Sequence, residues 1–305
     1  MKKTGKSLAA ACLAAVLAMS ALTACGSKSP AGDTAAAGTE TTAAGAENAA
    51  AGNEGEKKVL KVAMECSYAP YNWTQPTDGN GAVPISGSSD FAYGYDVMMA
   101  KKIADTLGYE LEIVKLDWDS LVPAVQSGKV DCVIAGQSIT SERLQSVDFT
   151  EPYYYATIVT LLKSGSKYEN AASVADLAGA TATSQMNTIW YDNCLPQIQD
   201  ATIQPAQESA PAMLVALSSG RCDLVVTDKP TGQAALIAYP DFKLLDFTGT
   251  EGEFKVSDED INIGISLKKG NTELKEAIDG VLAAMTEDDF NRMMEEAISV
   301  QPLSE

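Results

Sequence analysis

The sequence predicts an α/β fold built from two similar halves. Short apolar runs rich in β-branched residues alternate with segments whose apolar residues recur at helical spacing. One ten-residue pattern occurs twice, as S-G-K-V-D-C-V-I-A-G at 127–136 and as S-G-R-C-D-L-V-V-T-D at 219–228. An apolar helical segment precedes each copy. A chain of 305 residues is also long enough for about two domains.

The predicted elements follow from these patterns in chain order. Strands are expected where the apolar runs are short, at 59–64, 111–116, 130–135, 153–162, 180–184, 242–247 and 261–267. Another is expected in the second copy of the repeated pattern, where it includes Cys222 and has Asp228 at its carboxyl end. Helices are expected where the apolar spacing is helical, at 97–107, 121–126, 213–218, 271–285 and 286–298. Asp96 is predicted to cap the first helix and Gly108 to end it. The polar connection at 74–93 is longer than usual.

The first copy of the repeated pattern leads into a tip of small and hydroxyl-bearing residues. Gly128 suits the end of the preceding helix, and Ser138 and Arg143 lie in S-I-T-S-E-R, where a short helix is expected. Unpaired N–H groups at a helix start attract anions, and a guanidinium group forms a planar fork suited to a carboxylate. The alternative interpretation is a helix cap followed by a solvated arginine.

The second copy has Asp228 where the first has Gly136, so both residues are expected at the carboxyl end of a core strand. Ligands bind at that end of the strands in open α/β sheets. Ser138 and Arg143 on one half and Asp228 on the other therefore suit a zwitterion with a carboxylate and an ammonium group. Asp228 also suits a helix N-cap, because Pro230 follows two residues later, and the two roles are compatible.

Six motifs stand in the order found in one protein family. They are Y-A-P-Y (68–71), G-Y-D-V (94–97), D-W-D-S-L-V-P-A-V-Q-S-G-K-V-D (117–131), S-I-T-S-E-R (138–143), V-D-F-T-E-P-Y-Y (147–154) and S-S-G-R-C-D-L-V-V-T-D (218–228). From about residue 59 to residue 294 the chain resembles solute-binding protein family 3, the amino-acid-binding receptors of ABC importers. The resemblance implies an α/β, two-lobe type II periplasmic-binding-protein fold with two hinge crossings. Lobe 1 would comprise 59–155 and the returning segment 262–305, and lobe 2 would comprise 156–261.

The resemblance also implies the residues of lobe 1 that bind the side chain of a ligand. Tyr68 matches an aromatic residue that packs on that side chain, and Glu65 matches an acidic residue that reaches its polar end. Trp118 matches the second side of an aromatic or apolar sandwich. The alternative for Tyr68 is an aromatic residue of the core, and the alternative for Glu65 is a surface acid. The alternative for Trp118 is a tryptophan that only packs in the core. The family usually has a shorter connection than 74–93, so this insertion leaves the mouth of the pocket undefined.

In lobe 2, Q-M-N-T at 185–188 resembles the family loop that binds the ligand carboxylate, usually with a Gly-Thr pair. Asn187 stands at the glycine position, and asparagine tolerates a left-handed backbone better than most residues. Thr188 is retained. By resemblance, the α-carboxylate would lie between Arg143, the N–H groups near Ser138 and Thr188. The α-ammonium would meet Asp228 and the carbonyl of Gly136.

The start of the chain has the pattern of a lipoprotein signal peptide, expected at 1–24. Three lysines precede an apolar run at 8–22, which is short for a membrane span, and Leu22-Thr23-Ala24-Cys25 resembles a lipobox. Lipidation of Cys25 would anchor the protein to the outer face of the cytoplasmic membrane. Residues 25–58 are rich in Ala, Gly and Thr, without large apolar residues over most of their length, and are predicted to form a disordered tether.

The composition excludes several other classes of function. A formal charge of −19 argues against nucleic-acid binding and against attachment to anionic lipid by charge. The absence of histidine excludes histidine-based catalytic triads and most zinc sites, and no cofactor or metal is expected. Cys132 and Cys222 fall in different halves, so they are expected to remain unpaired as small buried residues.

The function expected from the resemblance is that of a non-enzymatic receptor of an ABC importer. It would be a monomer that binds an L-amino acid between its lobes and delivers it to the permease subunits. Glu65 with Tyr68 and Trp118 favours a polar, cationic amino acid such as arginine or lysine, although a glutamine amide also suits the same carboxylate. Two alternatives stay open, a cyclohexadienyl dehydratase-like enzyme on the same fold and a sensing module for a separate signalling partner.

Overall fold

The structure is a computed structural model that describes residues 57–302, apart from the side chains of residues 258 and 259. The predicted signal peptide, the lipidation site at Cys25 and nearly all of the predicted tether lie outside the described residues. The strands and helices that position the site all fall within the described part of the chain.

The described residues form sixteen strands and seven α-helices. The strands are β1 (Val59–Met64), β2 (Ser67–Tyr68), β3 (Asn72–Gln75), β4 (Val83–Pro84), β5 (Phe91–Tyr93), β6 (Glu110–Lys115), β7 (Cys132–Val133), β8 (Val147–Phe149), β9 (Tyr154–Tyr155), β10 (Ile158–Lys163), β11 (Thr181–Thr183), β12 (Thr202–Ile203), β13 (Leu224–Asp228), β14 (Phe242–Asp246), β15 (Asn262–Ile263) and β16 (Ser266–Lys268). The helices are α1 (Tyr95–Leu107), α2 (Trp118–Ser127), α3 (Ala210–Ser218), α4 (Lys229–Ala238), α5 (Asp258–Ile261), α6 (Thr272–Ala283) and α7 (Glu287–Val300).

Two five-stranded sheets form the centres of the two lobes, and they share one topology. The first sheet has the order β6-β1-β7-β16-β8 and the second has the order β12-β11-β13-β10-β14. In each sheet the first three strands are parallel, and the fourth runs antiparallel to both of its neighbours. Three parallel strands inside the sheets, β7, β11 and β13, are short and mostly buried, as expected for strands covered on both faces, whereas the edge strand β12 is exposed.

The chain crosses between the two sheets twice, and the two crossings pair with each other. β9 and β15 form an antiparallel ribbon in which Tyr154 faces Ile263 and Tyr155 faces Asn262. Because β16 returns to the first sheet after the second sheet is complete, the first lobe is discontinuous in sequence. Both pairing strands fall in or beside the two segments predicted to cross, 153–162 and 261–267.

The insertion at 74–93 forms part of a small antiparallel sheet of order β2-β3-β5-β4. Within the insertion, just after β4, Ile85 pairs with Ile113 of β6, and the Ser86 N–H donates to the Ile113 carbonyl at 2.8 Å. β6 is an edge strand of the first sheet, so the insertion covers that edge. Covering an edge strand removes a surface on which another chain could pair.

The prediction that Asp96 caps the first helix is wrong. Gly94 precedes α1, and the Asp96 side chain is fully buried within its first turn. Its carboxylate accepts hydrogen bonds from the Asn72 amide at 2.7 Å and from the Tyr153 hydroxyl at 2.7 Å. Both donors come from distant parts of the chain, so this role is not readable from the local sequence. The predicted end of the helix is confirmed, because Gly108 has a left-handed φ of 71°.

Candidate functional site

Most of the predicted site residues meet at one small cavity between the lobes. The side chains and backbone that line it are those of Tyr68, Trp118, Gly136, Ser138, Gln185, Thr188, Trp190 and Arg143. Six of these eight residues belong to the predicted set. The remaining two members of that set, Glu65 and Asp228, contact this lining, as described below.

Gly136 supplies the floor of the cavity on the side of lobe 1. Its φ of 63° is left-handed, and a Cβ added there would lie 2.9 Å from Cε1 of Tyr68. Glycine is therefore required both by the backbone conformation and by the approach of the ring. The Gly136 N–H donates to the Tyr153 hydroxyl at 3.0 Å, which links the tip of the strand to buried Asp96. Tyr68 itself stacks on Tyr71 with ring centroids 4.9 Å apart.

Arg143 begins a single 3-10 turn that ends at residue 145, where a short helix was predicted. Its Nη1 donates to the Ser138 carbonyl and its Nη2 to the Asn187 carbonyl, each at 2.8 Å. The guanidinium carbon also lies 5.4 Å from the centroid of the Trp118 ring, within the range of a cation–π contact. Burial lowers the pKa of Arg143 to about 10, so the group remains a cation at neutral pH. These contacts fix a positive charge at the cavity.

Asp228 lies behind Tyr68 on the side of lobe 2 and is 1% exposed. Its carboxylate accepts hydrogen bonds from the Tyr68 hydroxyl at 2.5 Å, from the Thr231 N–H at 3.0 Å and from the Thr231 hydroxyl at 2.9 Å. The bond from the Thr231 N–H confirms that Asp228 caps α4. Burial raises the pKa of Asp228, although the hydrogen bonds from Tyr68 and Thr231 act in the opposite direction.

Glu65 follows β1 and is 5% exposed. It lines a second, wider cavity beside the first, together with Asp117, Asp119, Glu208 and one lysine, Lys115. The amide of Gln185 donates to Glu65 Oε2 at 3.4 Å and so connects the two cavities. Burial raises the pKa of Glu65 to about 7. The structure thus places Glu65 next to the central cavity, in acidic surroundings.

The predicted carboxylate loop has the backbone that its sequence suggested. Asn187 has a left-handed φ of 55°, as expected for an asparagine at the family's glycine position. The Thr188 hydroxyl donates to the Gln185 carbonyl at 2.7 Å, so it helps to hold the loop in shape. Sequence reasoning missed Gln185 and Trp190 as lining residues. Trp190 lies only two positions after Thr188, and this closeness in sequence is the signal that could have found it.

Hydrogen bonds between described residues join the lobes around the cavity. They connect Tyr68 with Asp228, Glu65 with Gln185, Arg143 with the Asn187 carbonyl, and Asp119 with the Asn187 side chain. Each pair has one member from the first sheet's lobe and one from the second. The lobes are therefore held together by polar contacts at the cleft as well as by the two crossings.

Residues 57–302 contain no metal-binding cluster, disulfide bond or membrane-spanning helix. Over residues 57–302 no group of three or more Cys, Asp or Glu side chains could hold a metal ion. The four cysteines in this range are free and buried, and burial raises the pKa of each thiol. No helix in the same range is long and apolar enough to cross a membrane.

Residues 60–298 match the profile of the bacterial extracellular solute-binding proteins, family 3. The chain belongs to this family. The family and the two-lobe fold predicted from the sequence are thereby confirmed. The family's description also places its members outside the cytoplasm.

Individual relatives show how far the similarity extends. The chain is 31% identical over 183 residues to the probable histidine-binding protein of Campylobacter jejuni, and the alignment covers 60% of this chain and 64% of that relative. The chain therefore spans slightly less than two thirds of its length.

Solved structures match over more of the chain. One is AbpA from Streptococcus pneumoniae, an amino acid ABC transporter substrate-binding protein bound to L-arginine. It has 28% identity and a TM-score of 0.66, and the match covers 79% of this chain and 94% of that one. Another is the ancestral amino acid-binding protein AncCDT-1, a precursor of cyclohexadienyl dehydratase. It has 28% identity and a TM-score of 0.63, covering 79% of this chain and 95% of that one.

Proposed function

We propose that this protein binds an L-amino acid between its lobes and delivers it to the permease of an ABC importer. The observation that carries the proposal is the pair of opposite charges at the cavity. Arg143 is held at one wall, and Asp228 lies behind Tyr68 at the other. Neither group forms an ion pair with another described side chain, so each has charge to offer a ligand.

A zwitterion suits this arrangement better than an uncharged analogue does. The α-carboxylate would lie against Arg143 near Ser138 and Thr188, and the α-ammonium would meet Asp228 and the Gly136 carbonyl. A ligand that lacked one of its charges would leave a charged protein group buried without a partner, at a cost of several kcal/mol. Because the ligand bridges both lobes, it would favour their closed arrangement.

The side chain of the ligand is proposed to be polar and cationic. Glu65 reaches the lining of the cavity through Gln185, and Asp117, Asp119 and Glu208 add negative charge to the space beyond it. A guanidinium or ammonium group there would favour the ionised form of Glu65, whose pKa is otherwise raised to about 7 by burial. The family members named above for histidine and L-arginine agree with this choice. Glutamine is the alternative that the same carboxylate could accept.

Thermal unfolding of the purified protein against each standard amino acid tests the proposal. A ligand present at about one hundred times its dissociation constant adds roughly 2.7 kcal/mol to the free energy of unfolding. We expect a shift with arginine or lysine, and none with either ligand in Arg143→Ala, whose circular dichroism spectrum should match that of the wild type. A shift in Arg143→Ala equal to that of the wild type would remove Arg143 from the site.

Absence of any shift in the wild type would redirect the search to the enzymatic alternative. The similarity to AncCDT-1, a precursor of cyclohexadienyl dehydratase, is the observation that favours it. Consumption of prephenate or arogenate by the purified protein would establish that activity. Genes for a permease and an ATPase beside this one would distinguish import from sensing by a separate signalling partner.

We further propose that the protein acts as a monomer anchored by lipid at Cys25. The lipobox-like sequence Leu22-Thr23-Ala24-Cys25 supports the anchor, and the tether to residue 58 would let the lobes reach a membrane partner. The mass of the N-terminal peptide from protein purified from membranes tests the lipid anchor. A diacylated peptide that begins at Cys25 is expected, and an unmodified one would contradict the anchor.

A further inference from the structure

One hydrogen bond between the lobes lies outside the central cavity. Nδ2 of Asn187 donates to Oδ1 of Asp119 at 2.6 Å. Asp119 belongs to the first turn of α2 in lobe 1, and Asn187 belongs to the loop after β11 in lobe 2. Both side chains are exposed, and neither lines the small central cavity, whereas Asp119 also lines the second cavity, which is proposed for the side chain of the ligand. The side chain of Asn187 has no proposed contact with the ligand, so substitutions at residue 187 isolate the effect of this bond.

The backbone of Asn187 explains why its side chain reaches Asp119. A non-glycine residue at a φ of 55° is uncommon, and it persists only where the surroundings stabilise it. Here the carbonyl of Asn187 accepts a hydrogen bond from Arg143 while the side chain of the same residue donates to Asp119. Glycine would tolerate this φ at lower cost and would keep the carbonyl contact, but it has no side chain to donate.

We infer that Asn187 and Asp119 form a latch that stabilises the closed arrangement of the lobes and thereby raises the affinity of the site. The inference rests on the proposed function and deepens it. A contact made only when the lobes are together raises the fraction of molecules competent to hold the ligand, and the apparent dissociation constant falls by the same factor. The latch also has to break before the lobes open, so its main effect falls on the dissociation rate.

The size of the effect follows from the type of bond. A carboxylate acceptor makes the bond charge-assisted, whereas exposure to water weakens its net contribution. We expect the loss of the latch to raise the dissociation constant about three- to tenfold. Lost contacts with the ligand's own charges would produce larger changes, so the two kinds of effect are separable by magnitude.

Calorimetric titration of L-arginine into four variants of the full chain tests the latch. Asn187→Gly should raise the dissociation constant about three- to tenfold. Asp119→Ala should raise it at least as much, because it also removes a negative charge near the ligand's side chain, and the double variant should raise it no further than Asp119→Ala does. Additive losses in the double variant, or an unchanged dissociation constant in Asn187→Gly, would overturn the inference. The fourth variant, Asn187→Asp, places a carboxylate opposite Asp119 and should bind more weakly than Asn187→Gly, especially at low salt.

Exchanging the two side chains gives the sharpest test. In the double variant Asn187→Asp with Asp119→Asn, the donor and acceptor trade places, and aspartate also tolerates a left-handed backbone. We expect this exchange to recover most of the affinity lost in Asn187→Asp alone. No recovery would mean that residue 187 acts through the shape of its loop and not through a bond to Asp119.

Two control substitutions and one ligand-free measurement complete the design. Asn80→Gly changes another exposed, left-handed asparagine, at φ 60° in the insertion, and Asp288→Ala removes an exposed acid from the first turn of α7. Neither should alter the affinity. Should L-arginine not bind the wild type, small-angle scattering without ligand still tests the latch. Asn187→Gly should have a larger radius of gyration than the wild type, and equal radii would overturn the inference whatever the ligand.

Discussion

The two copies of the repeated pattern build the same local structure and end in different chemistry. Gly128 and Gly220 follow helices α2 and α3 with left-handed φ values of 75° and 72°. Both copies then enter a strand at the same position of a sheet, β7 in one lobe and β13 in the other. At the far end, one copy presents a glycine and the other a buried aspartate.

The shared part of the pattern includes a matched pair of acids. Asp131 accepts a hydrogen bond from the Lys61 N–H at 2.8 Å and donates its own N–H to the Lys61 carbonyl at 2.9 Å. Asp223 does the same with Thr181, at 2.9 and 2.7 Å. Each aspartate thus ties the start of its strand to the neighbouring parallel strand.

This comparison separates residues that hold the sheets from residues that face the cleft. The repeated glycine and aspartate at the start of the pattern serve the fold in both lobes. The tenth position has diverged, because Gly136 admits the Tyr68 ring to its backbone while Asp228 is a buried carboxylic acid. Substitutions at the tenth position should therefore change binding, and those at the shared aspartates should change stability alone.

The largest effect is expected from Asp228→Asn. An asparagine keeps the oxygen that caps α4 but removes the charge, so the affinity for a zwitterion should fall by about 2–5 kcal/mol, or at least roughly 30-fold. Without ligand, the variant should be as stable as the wild type or more so at neutral pH. Calorimetric titration and chemical denaturation measure the two quantities.

The pH dependence of Asp228→Asn gives a second check. The folded-state pKa of Asp228 is raised above its unfolded value, so its ionised form disfavours folding at pH values above the unfolded pKa of about 3.9. Any gain in the free energy of unfolding in Asp228→Asn should therefore shrink as the pH falls toward 4. Asp241→Asn removes the same charge from an exposed ion pair with Lys163 and should leave the affinity unchanged. Equal losses of affinity in the two variants would mean that overall charge is responsible.

A smaller effect is expected from Gly136→Ala. The left-handed backbone costs an alanine about 1–2 kcal/mol, and its Cβ would collide with Tyr68 Cε1 at 2.9 Å. We expect the free energy of unfolding to fall by about 2–3 kcal/mol and the affinity to fall about tenfold. Gly128→Ala is the matched control, since its φ is also left-handed but its Cβ would come no closer than 3.8 Å to Lys268 Nζ. If Gly128→Ala lowered the affinity as much, the collision with Tyr68 would not be the cause.

The sequence was sufficient for the parts of the molecule that depend on local pattern. The register of the repeat predicted that Gly136 and Asp228 follow equivalent strands, and in the structure Asp228 ends β13 while Gly136 lies three residues after the end of β7. The left-handed conformation of Asn187 followed from its residue type. Apolar runs and glycine positions specify strands and turns within a few residues, so these features require no knowledge of the rest of the chain.

The parts that the sequence left open depend on contacts between distant residues. Asp96 is held by Tyr153, 57 positions away, and Tyr68 meets Asp228 across 160 positions. The insertion covers the edge of the first sheet by pairing with Ile113, which its own composition does not indicate. Gln185 reaches Glu65 only where the two lobes meet, so the local sequence could not predict that Gln185 belongs to the site.

The smallest effects are expected from Asp131→Ala and Asp223→Ala. Each variant loses one side-chain acceptor from a backbone N–H, of Lys61 or of Thr181, which should lower the free energy of unfolding by about 1 kcal/mol. Because the two sites lie in different sheets and share no partner, the losses should add in the double variant within about 0.5 kcal/mol. The affinity should stay at the wild-type value in all three proteins. A loss of binding in Asp223→Ala alone would show that lobe 2 depends on its strand start to place Asp228, and the division between structural and cleft positions would then hold for lobe 1 only.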